Sequence, residues 1–221
     1  IIQDGMRRMV QVQEDVYYYI TVMNENYEQP GMPEGAEKGI LKGMYLLREG
    51  EAKKNAPRVQ LLGSGTILRE VIAGAAMLER DFGVAADIWS VTSFNQLRRD
   101  GIEAQRWNML HPESEPRLSY LETCLKDREG PVIAATDYMK LFADQVRGFL
   151  PARHFHALGT DGFGRSDTRE KLRRFFEVDR NYVAVAALKA LADMELVPRK
   201  KVTEAIRKYG VDPEKPNPPT V

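Results

Sequence analysis

The sequence predicts an α/β fold in three layers, with a mostly parallel β-sheet that carries helices on both faces. From residue 58 onward, short apolar runs alternate with longer stretches of helical periodicity. This alternation is typical of parallel strands joined by helical crossovers. A hydrophobic fraction of 43% in 221 residues also suffices for a packed core.

The predicted strands are short runs of apolar residues bounded by turn residues. They lie at 59–62, 86–91, 132–135 and 155–158. Another run of β-branched and aromatic residues, VYYYITV at 16–22, predicts a strand near the start of the chain. One strand cannot form a sheet alone, so we expect its partners to come from sequence outside this chain, which lacks an initiator Met and opens as if inside a folded element.

The helices are predicted from apolar residues at three- and four-residue spacing and from residues that favour helix ends. They fall at 67–82, within 94–110, at 138–149, at 167–176, at 182–196 and at 199–209. Gly83 is expected to end the first helix, and Asp137 to cap the third. Asp167 with Glu170 resembles a capping box for the fourth, and Pro198 suits the first position of the last.

Composition excludes several classes of protein. The 32 Lys and Arg residues balance 32 Asp and Glu residues, which removes the positive charge of a general nucleic-acid binder. No run of about 18 apolar residues is present to span a membrane. Cys124 is the single cysteine, so an intrachain disulfide and a cysteine-built zinc site are excluded. We therefore expect a reducing, cytoplasmic setting.

The turn Gly63-Ser64-Gly65 follows a predicted strand and precedes a helix, as phosphate-binding turns do. A dinucleotide fingerprint needs a third glycine three residues after the second, and that position is Leu68. A leucine there is expected to keep the helix further from the strand. A tight structural turn is therefore favoured over a cofactor cradle.

The loop 159–167 follows the last predicted strand, at the edge where α/β folds place ligands. Asp161, Arg165 and Asp167 are its candidate binding residues, since Arg165 is able to clamp a carboxylate or a phosphate. The structural interpretation, with glycines for positive φ and aspartates as caps, is favoured for this loop.

Other candidates for chemistry are weaker. His154 and His156 share one face of a strand, but a metal site needs a third ligand from elsewhere, and an exposed strand edge is favoured. His111 has no identifiable orienting partner, and Cys124 is interpreted as a small buried residue. The basic cluster at 169–174 is interpreted as a solvated helix face that is able to meet a partner.

Several longer segments resemble one enzyme family over essentially the whole chain. They are VYYYITVMNENY at 16–27, MPEG at 32–35, VQLLGSG at 59–65, SVTSF at 90–94, RWNMLHP at 106–112, TDYMKLFA at 136–143 and LGTDGFGRSD at 158–167. In this order they resemble the carboxyl-terminal portion of the homodimeric, bacterial type of the pyruvate-decarboxylating component of the pyruvate dehydrogenase complex, within the transketolase superfamily.

The resemblance implies four regions. These are the end of the thiamine-pyrimidine-binding middle domain at 1–29, an interdomain linker at 30–57, a transketolase C-terminal-like α/β domain at 58–210 and a Pro-rich tail at 211–221.

The resemblance also implies an oxidoreductase of the step from glycolysis to acetyl-CoA. Its full-length parent is expected to use thiamine diphosphate and Mg²⁺, to decarboxylate pyruvate and to acetylate lipoyl groups. The expected partners are a second copy in a homodimer and the dihydrolipoyl acyltransferase component. This segment is expected to support dimer and interdomain packing and to be inactive alone.

The superfamily's cofactor motif, Gly-Asp-Gly followed by paired asparagines, does not occur in this sequence. No catalytic residue, metal ligand or cofactor is therefore assigned to the segment itself. In related transketolases the turn after the last middle-domain strand approaches the substrate channel, which makes Asn24, Glu25, Asn26 and Tyr27 candidates, with a capped interdomain turn as the alternative. A stand-alone α/β interaction module and a nucleotide-binding domain stay open as alternative functions.

Overall fold

Five β-strands form one mixed sheet in the computed structural model, which describes residues 1–51, 55–151 and 153–221. The strands are β1 (Met44–Arg48), β2 (Arg58–Ser64), β3 (Ala85–Val91), β4 (Val132–Ala135) and β5 (Phe155–Leu158). Their order is β1-β3-β2-β4-β5; β1 runs antiparallel to β3, and the other pairs are parallel. The predicted α/β fold is confirmed, as are the strands predicted from residue 58 onward.

The described helices are α1 (Ile2–Met6), α2 (Glu37–Lys42), α3 (Leu68–Phe82), α4 (Phe94–Leu110), α5 (Tyr120–Leu125), α6 (Lys140–Asp144), α7 (Arg169–Phe175), α8 (Arg180–Asp193) and α9 (Arg199–Lys208). Among the described residues, no helix has both the length and the apolar character that a membrane span requires.

The sheet separates two hydrophobic cores. Successive side chains of a strand point to opposite faces, so Leu61 packs into one core and Leu62 into the other. Helices α3, α8 and α9 cover the first face, and α4, α5 and α6 cover the second. The predicted three layers follow from this alternation, because the central strands must be apolar on both faces.

A buried polar network joins β2 and β3. The Gln60 amide donates to Asp87 Oδ2 at 2.8 Å and accepts from Trp89 Nε1 at 2.8 Å. Arg58 and the amide of Gly50 also donate to the fully buried Asp87 carboxylate. Every member has a partner, so the network fixes the pairing of these strands without leaving a buried charge unpaired.

Several helix ends differ from the prediction. The stretch 138–149 forms only α6 and a 3₁₀ turn, Arg147–Phe149, and α6 begins after Met139 without a capping side chain. Thr168, rather than Asp167, caps α7, by accepting from the amide of Lys171. Pro198 is the residue before the first turn of α9. Gly83 ends α3 in the left-handed conformation, as predicted.

The predicted strand at 16–22 is wrong for this chain. No residue there belongs to the sheet, and Tyr17, Tyr19 and Val22 are each more than four-fifths exposed. High β-propensity does not make a strand unless another strand supplies hydrogen-bond partners. The segment before it forms α1 and a π-helical turn, Arg7–Gln11.

The predicted linker at 30–57 contains ordered structure. It holds α2 and β1, and β1 forms one edge of the sheet by pairing with β3. Residues 52–54 of the linker lie outside the described residues. The proposed boundaries of the four regions stay a prediction. In the tail, Pro218 is buried and its carbonyl lies against Gly162.

Gly63 allows α3 to approach the sheet closely. A methyl group at this position would lie 2.9 Å from Leu68 Cα, closer than side-chain carbons tolerate. We expect Gly63→Ala to lower the free energy of unfolding by about 1–3 kcal/mol because backbone must shift to relieve the overlap. Urea unfolding measures the change. Gly148→Ala is the matched control, since nothing lies within 4 Å of that site, and an equal loss in both variants would contradict the packing argument.

Segment 16–22 should be poorly protected from hydrogen exchange. Its backbone makes no strand pairing, whereas β4 is paired on both sides. We expect the amides of 16–22 to exchange well before those of 132–135 when followed by mass spectrometry. Equal protection in the two segments would show that the segment has found a pairing partner.

Candidate functional site at the carboxyl ends of the central strands

Polar side chains gather where β2 and β4 end. The chain leaves β2 through α3 toward β3 on one side, whereas β4 lies on the other side of β2. In open α/β sheets such a switch point is the usual place for a ligand. Here the Ser64 hydroxyl donates to Thr136 Oγ1 at 2.9 Å, and both residues are buried.

Asp137 follows Thr136 and faces the turn after β2. A methyl group at Gly65, whose φ is +54°, would lie 3.3 Å from Asp137 Oδ1. Burial raises the pKa of the Asp137 carboxyl, while a backbone hydrogen bond and the positive charge of Arg173 act in the opposite direction. Asp137 therefore belongs to this polar cluster and does not cap α6 as the sequence suggested.

The loop 159–167 is tied to the turn after β4. Asp161 Oδ1 accepts from the amide of Lys140 at 3.1 Å, which supplies the first turn of α6 with an acceptor. The Thr160 hydroxyl donates to the Asp137 carbonyl at 2.7 Å, and its amide donates to the Tyr138 carbonyl at 2.8 Å. These contacts are structural in kind, in agreement with the favoured interpretation of the loop.

The two other candidates of this loop lie elsewhere. The Arg165 guanidinium lies over the Phe175 ring at 4.9 Å from its centroid. Asp167 accepts from the amide of Thr168 at 2.7 Å and lies 3.6 Å from Lys171 Nζ. Asp161, Arg165 and Asp167 each contact a different partner and do not converge on a common site in the structure. A binding role for this loop stays a prediction.

The turn at 24–27 docks onto α3 and α7. Glu25 lies 3.5 Å from Arg69, 3.4 Å from Arg169 and 3.5 Å from Arg173. Asn24 accepts from Arg169 at 2.9 Å, and the Arg69 guanidinium lies 4.5 Å from the centroid of the Tyr27 ring. Asn26 is exposed. Three of the four candidates are thus brought together, although their approach to a substrate channel stays a prediction.

Behind this turn, Glu70 pairs with Arg173 and with one further guanidinium, that of Arg180. It accepts from Arg180 Nε at 2.9 Å and from Arg173 Nη1 at 3.4 Å, and Arg173 also donates to the Thr66 hydroxyl at 2.9 Å. Burial acts to raise the pKa of Glu70, but the hydrogen bonds and charge of Arg180, with the charge of Arg173, hold this pKa below its ordinary value.

Sequence reasoning missed the role of Arg173. It was assigned to a solvated basic face, yet its side chain is only 13% exposed. Its spacing in α7 offered one signal, since it lies four residues after Arg169 and therefore on the same helix face. The acidic partners come from positions more than 100 residues away in the chain, which no local pattern reveals.

The weaker candidates take no part in this cluster. His154 is exposed beside β5, and His156 is exposed on that edge strand, as expected. His111 stacks on Trp107 with 4.4 Å between ring centroids. Cys124 is half-buried, and burial raises the pKa of its thiol, which does not favour a nucleophile.

The described residues do not fit thiamine diphosphate and Mg²⁺. Among residues 1–51, 55–151 and 153–221, no three His, Cys, Asp or Glu side chains are placed to hold a metal ion together. The segments that most nearly resemble the superfamily's Gly-Asp-Gly motif are Gln3-Asp4-Gly5 and Thr160-Asp161-Gly162. Both aspartates are engaged, since Asp4 pairs with Arg7 at 2.8 Å and Asp161 accepts from the amide of Lys140. No step of thiamine chemistry is therefore derived from this chain.

The fold and the polar cluster define an α/β domain of the three-layer class, with charged groups collected at the carboxyl ends of its central strands. The family model described as the transketolase-like TK C-terminal domain matches residues 43–179. The chain belongs to this family. A second family model, the pyruvate dehydrogenase E1 component middle domain, matches residues 1–30.

Curated relatives match almost the whole chain. The pyruvate dehydrogenase E1 component of Pseudomonas aeruginosa is 62% identical over 99% of this chain and 25% of the relative. That of Escherichia coli K12 is 54% identical over 99% of this chain and 24% of the relative. The chain thus spans about a quarter of the length of these relatives. A transketolase structure from Campylobacter jejuni is 19% identical, with a TM-score of 0.46, over 72% of this chain and 20% of that one.

Glu70 should make stability depend on pH. Its pKa is lower in the folded chain than in the unfolded one, so the carboxylate stabilises the fold above about pH 4.3 and this contribution is lost as the pH falls through the folded-state pKa. We expect Glu70→Gln to cost about 2 kcal/mol at pH 7, because two guanidiniums lose their buried partner. The difference between variant and wild type should shrink below pH 4.

Urea unfolding at pH 7 and at pH 3.5 measures this dependence. The exposed Glu103, which forms no ion pair among the described residues, gives the matched control Glu103→Gln. A cost for Glu70→Gln that is the same at both pH values would contradict the assigned role of the carboxylate.

Proposed function

We propose that this chain is the carboxyl-terminal portion of a pyruvate dehydrogenase E1 component. The whole enzyme would use thiamine diphosphate and Mg²⁺ to decarboxylate pyruvate and to pass the acetyl group to a lipoyl group. Its cytoplasmic partners would be a second copy in a homodimer and the dihydrolipoyl acyltransferase component. The observation that carries the proposal is the 62% identity to such a component over 99% of the chain.

The segment itself would support packing between domains and subunits. Two features support this role. Ion pairs dock the turn at 24–27 on α3 and α7. Segment 16–22 exposes Tyr and Val side chains, which another domain or subunit would cover. Near the switch point, Glu25 and Glu70 are paired with guanidiniums and Asp161 accepts from the first amide of α6. We therefore expect no catalysis from the segment alone.

The two alternative functions have less support. A sequence identity of 62% over 99% of the chain is higher than a shared fold alone requires. This identity disfavours an unrelated interaction module. A nucleotide site at the turn after β2 is disfavoured because Ser64 is already paired with Thr136, and Thr66 with Arg173.

Calorimetry and an activity assay test the proposal. We expect the 221-residue chain to show no Mg²⁺-dependent binding of thiamine diphosphate and no turnover of pyruvate, because no three acidic or His side chains among the described residues are placed to hold Mg²⁺. The complete protein should do both and should acetylate lipoyl groups. The matched control is thiamine diphosphate without Mg²⁺, and pyruvate turnover by the 221-residue chain alone would overturn the proposal.

A further inference from the structure

Three guanidiniums converge on one carboxylate beside the switch point. Arg69 comes from the first turn of α3, and Arg169 and Arg173 lie one turn apart in α7. All three lie within 3.4–3.5 Å of the Glu25 carboxylate. We call these residues the arginine triad.

The arginine triad has more donor capacity than Glu25 uses. Each guanidinium carries five N–H donors in a planar fork that matches a carboxylate or a phosphate. Glu25 takes no short bidentate pair from any of the three, since its nearest approach is 3.4 Å. The side chains of Arg69 and Arg169 are 38% and 49% exposed, so their remaining donors face solvent.

The charge balance of this network is positive. Among the described residues, Arg69, Arg169, Arg173 and Arg180 form ion pairs with two carboxylates, those of Glu25 and Glu70. Glu70 is buried behind the triad and holds Arg173 in place from the inner side. Within the part of the chain that the structure describes, Glu25 is the one carboxylate that pairs with the triad from the outer side.

Glu25 sits on a segment that is weakly held elsewhere. Tyr17, Tyr19 and Val22 before it are exposed, and so is Met32 after it. Withdrawing the turn at 24–27 would therefore uncover little apolar surface. Its retention depends on the ion pairs, on Asn24 and on the ring of Tyr27 under Arg69.

We propose that the arginine triad is an oxyanion-binding site and that Glu25 is its internal occupant. The ligand class is a small molecule that carries a phosphate or carboxylate group, which would take the place of the Glu25 carboxylate between Arg69 and Arg169. The location agrees with the rule that α/β folds bind ligands beyond the carboxyl ends of their strands. This site does not depend on the proposed enzyme activity.

Titration of the full 221-residue chain with inorganic phosphate at constant ionic strength tests the proposal. Glu25→Gln should lower the Kd for phosphate about tenfold relative to wild type, because the competing carboxylate is removed from the three guanidiniums. Glu28→Gln is the matched control: Glu28 is exposed in the same segment and makes no ion pair among the described residues, so its Kd should equal that of wild type. Titration with citrate in place of phosphate tests whether the site also binds a carboxylate.

The arginines are tested in the Glu25→Gln background. Arg69→Gln together with Arg169→Gln should abolish the gain in affinity, whereas Arg199→Gln, which removes an exposed cation from α9, should leave it unchanged. Circular dichroism confirms that each variant is folded. The proposal is overturned if Glu25→Gln and wild type bind phosphate and citrate equally, or if the double arginine variant binds them as Glu25→Gln does.

Limited proteolysis gives a second readout that does not require a variant. Phosphate that displaces Glu25 should speed cleavage of wild type within 16–32 relative to sodium chloride of equal ionic strength, because the turn loses its anchor. Cleavage that depends on ionic strength alone would count against a specific oxyanion site.

Discussion

The architecture depends on one constraint, which is that β2 must bury both of its faces. Leu61 and Leu62 serve opposite cores, so a shift of the strand by one residue would exchange every contact on the two sides. The network of Gln60, Asp87 and Trp89 opposes such a shift, because its buried polar groups find their hydrogen-bond partners in this register. With β2 fixed, its carboxyl end places Ser64 and the turn that follows beside β4.

The sequence was informative where burial decides the structure. The strands from residue 58 onward lie in the middle of the sheet or against helices. Their apolar runs are stable only as buried strands, so the runs predicted them correctly. Segment 16–22 has an equally strong β pattern. However, β-propensity favours a strand only where a neighbouring strand supplies hydrogen bonds and packing, and this segment has no such neighbour among the described residues. β1 shows the reverse case, since the glycines around it suggested a linker while its residues pair antiparallel with β3.

The polar cluster was harder to predict because its members are distant in sequence. Pairing of Glu25 with Arg169 and Arg173 depends on how α7 returns over the sheet edge, which local spacing does not encode. Only the helical repeat of Arg169 and Arg173 was visible in advance. The candidate turn at 24–27 was found through a family resemblance, and the chemistry of its contacts became apparent only when the acidic and basic groups were seen together.

Three hydrogen bonds near the switch point link the connection after β4 to the connection after β5. Asp161, in the loop after β5, holds the amide that starts α6 after β4. Neither connection is able to adjust its shape without disturbing the other. A molecule that contacts this end of the sheet therefore meets two connections that are hydrogen-bonded to each other, and moving one of them would strain the bonds to the other.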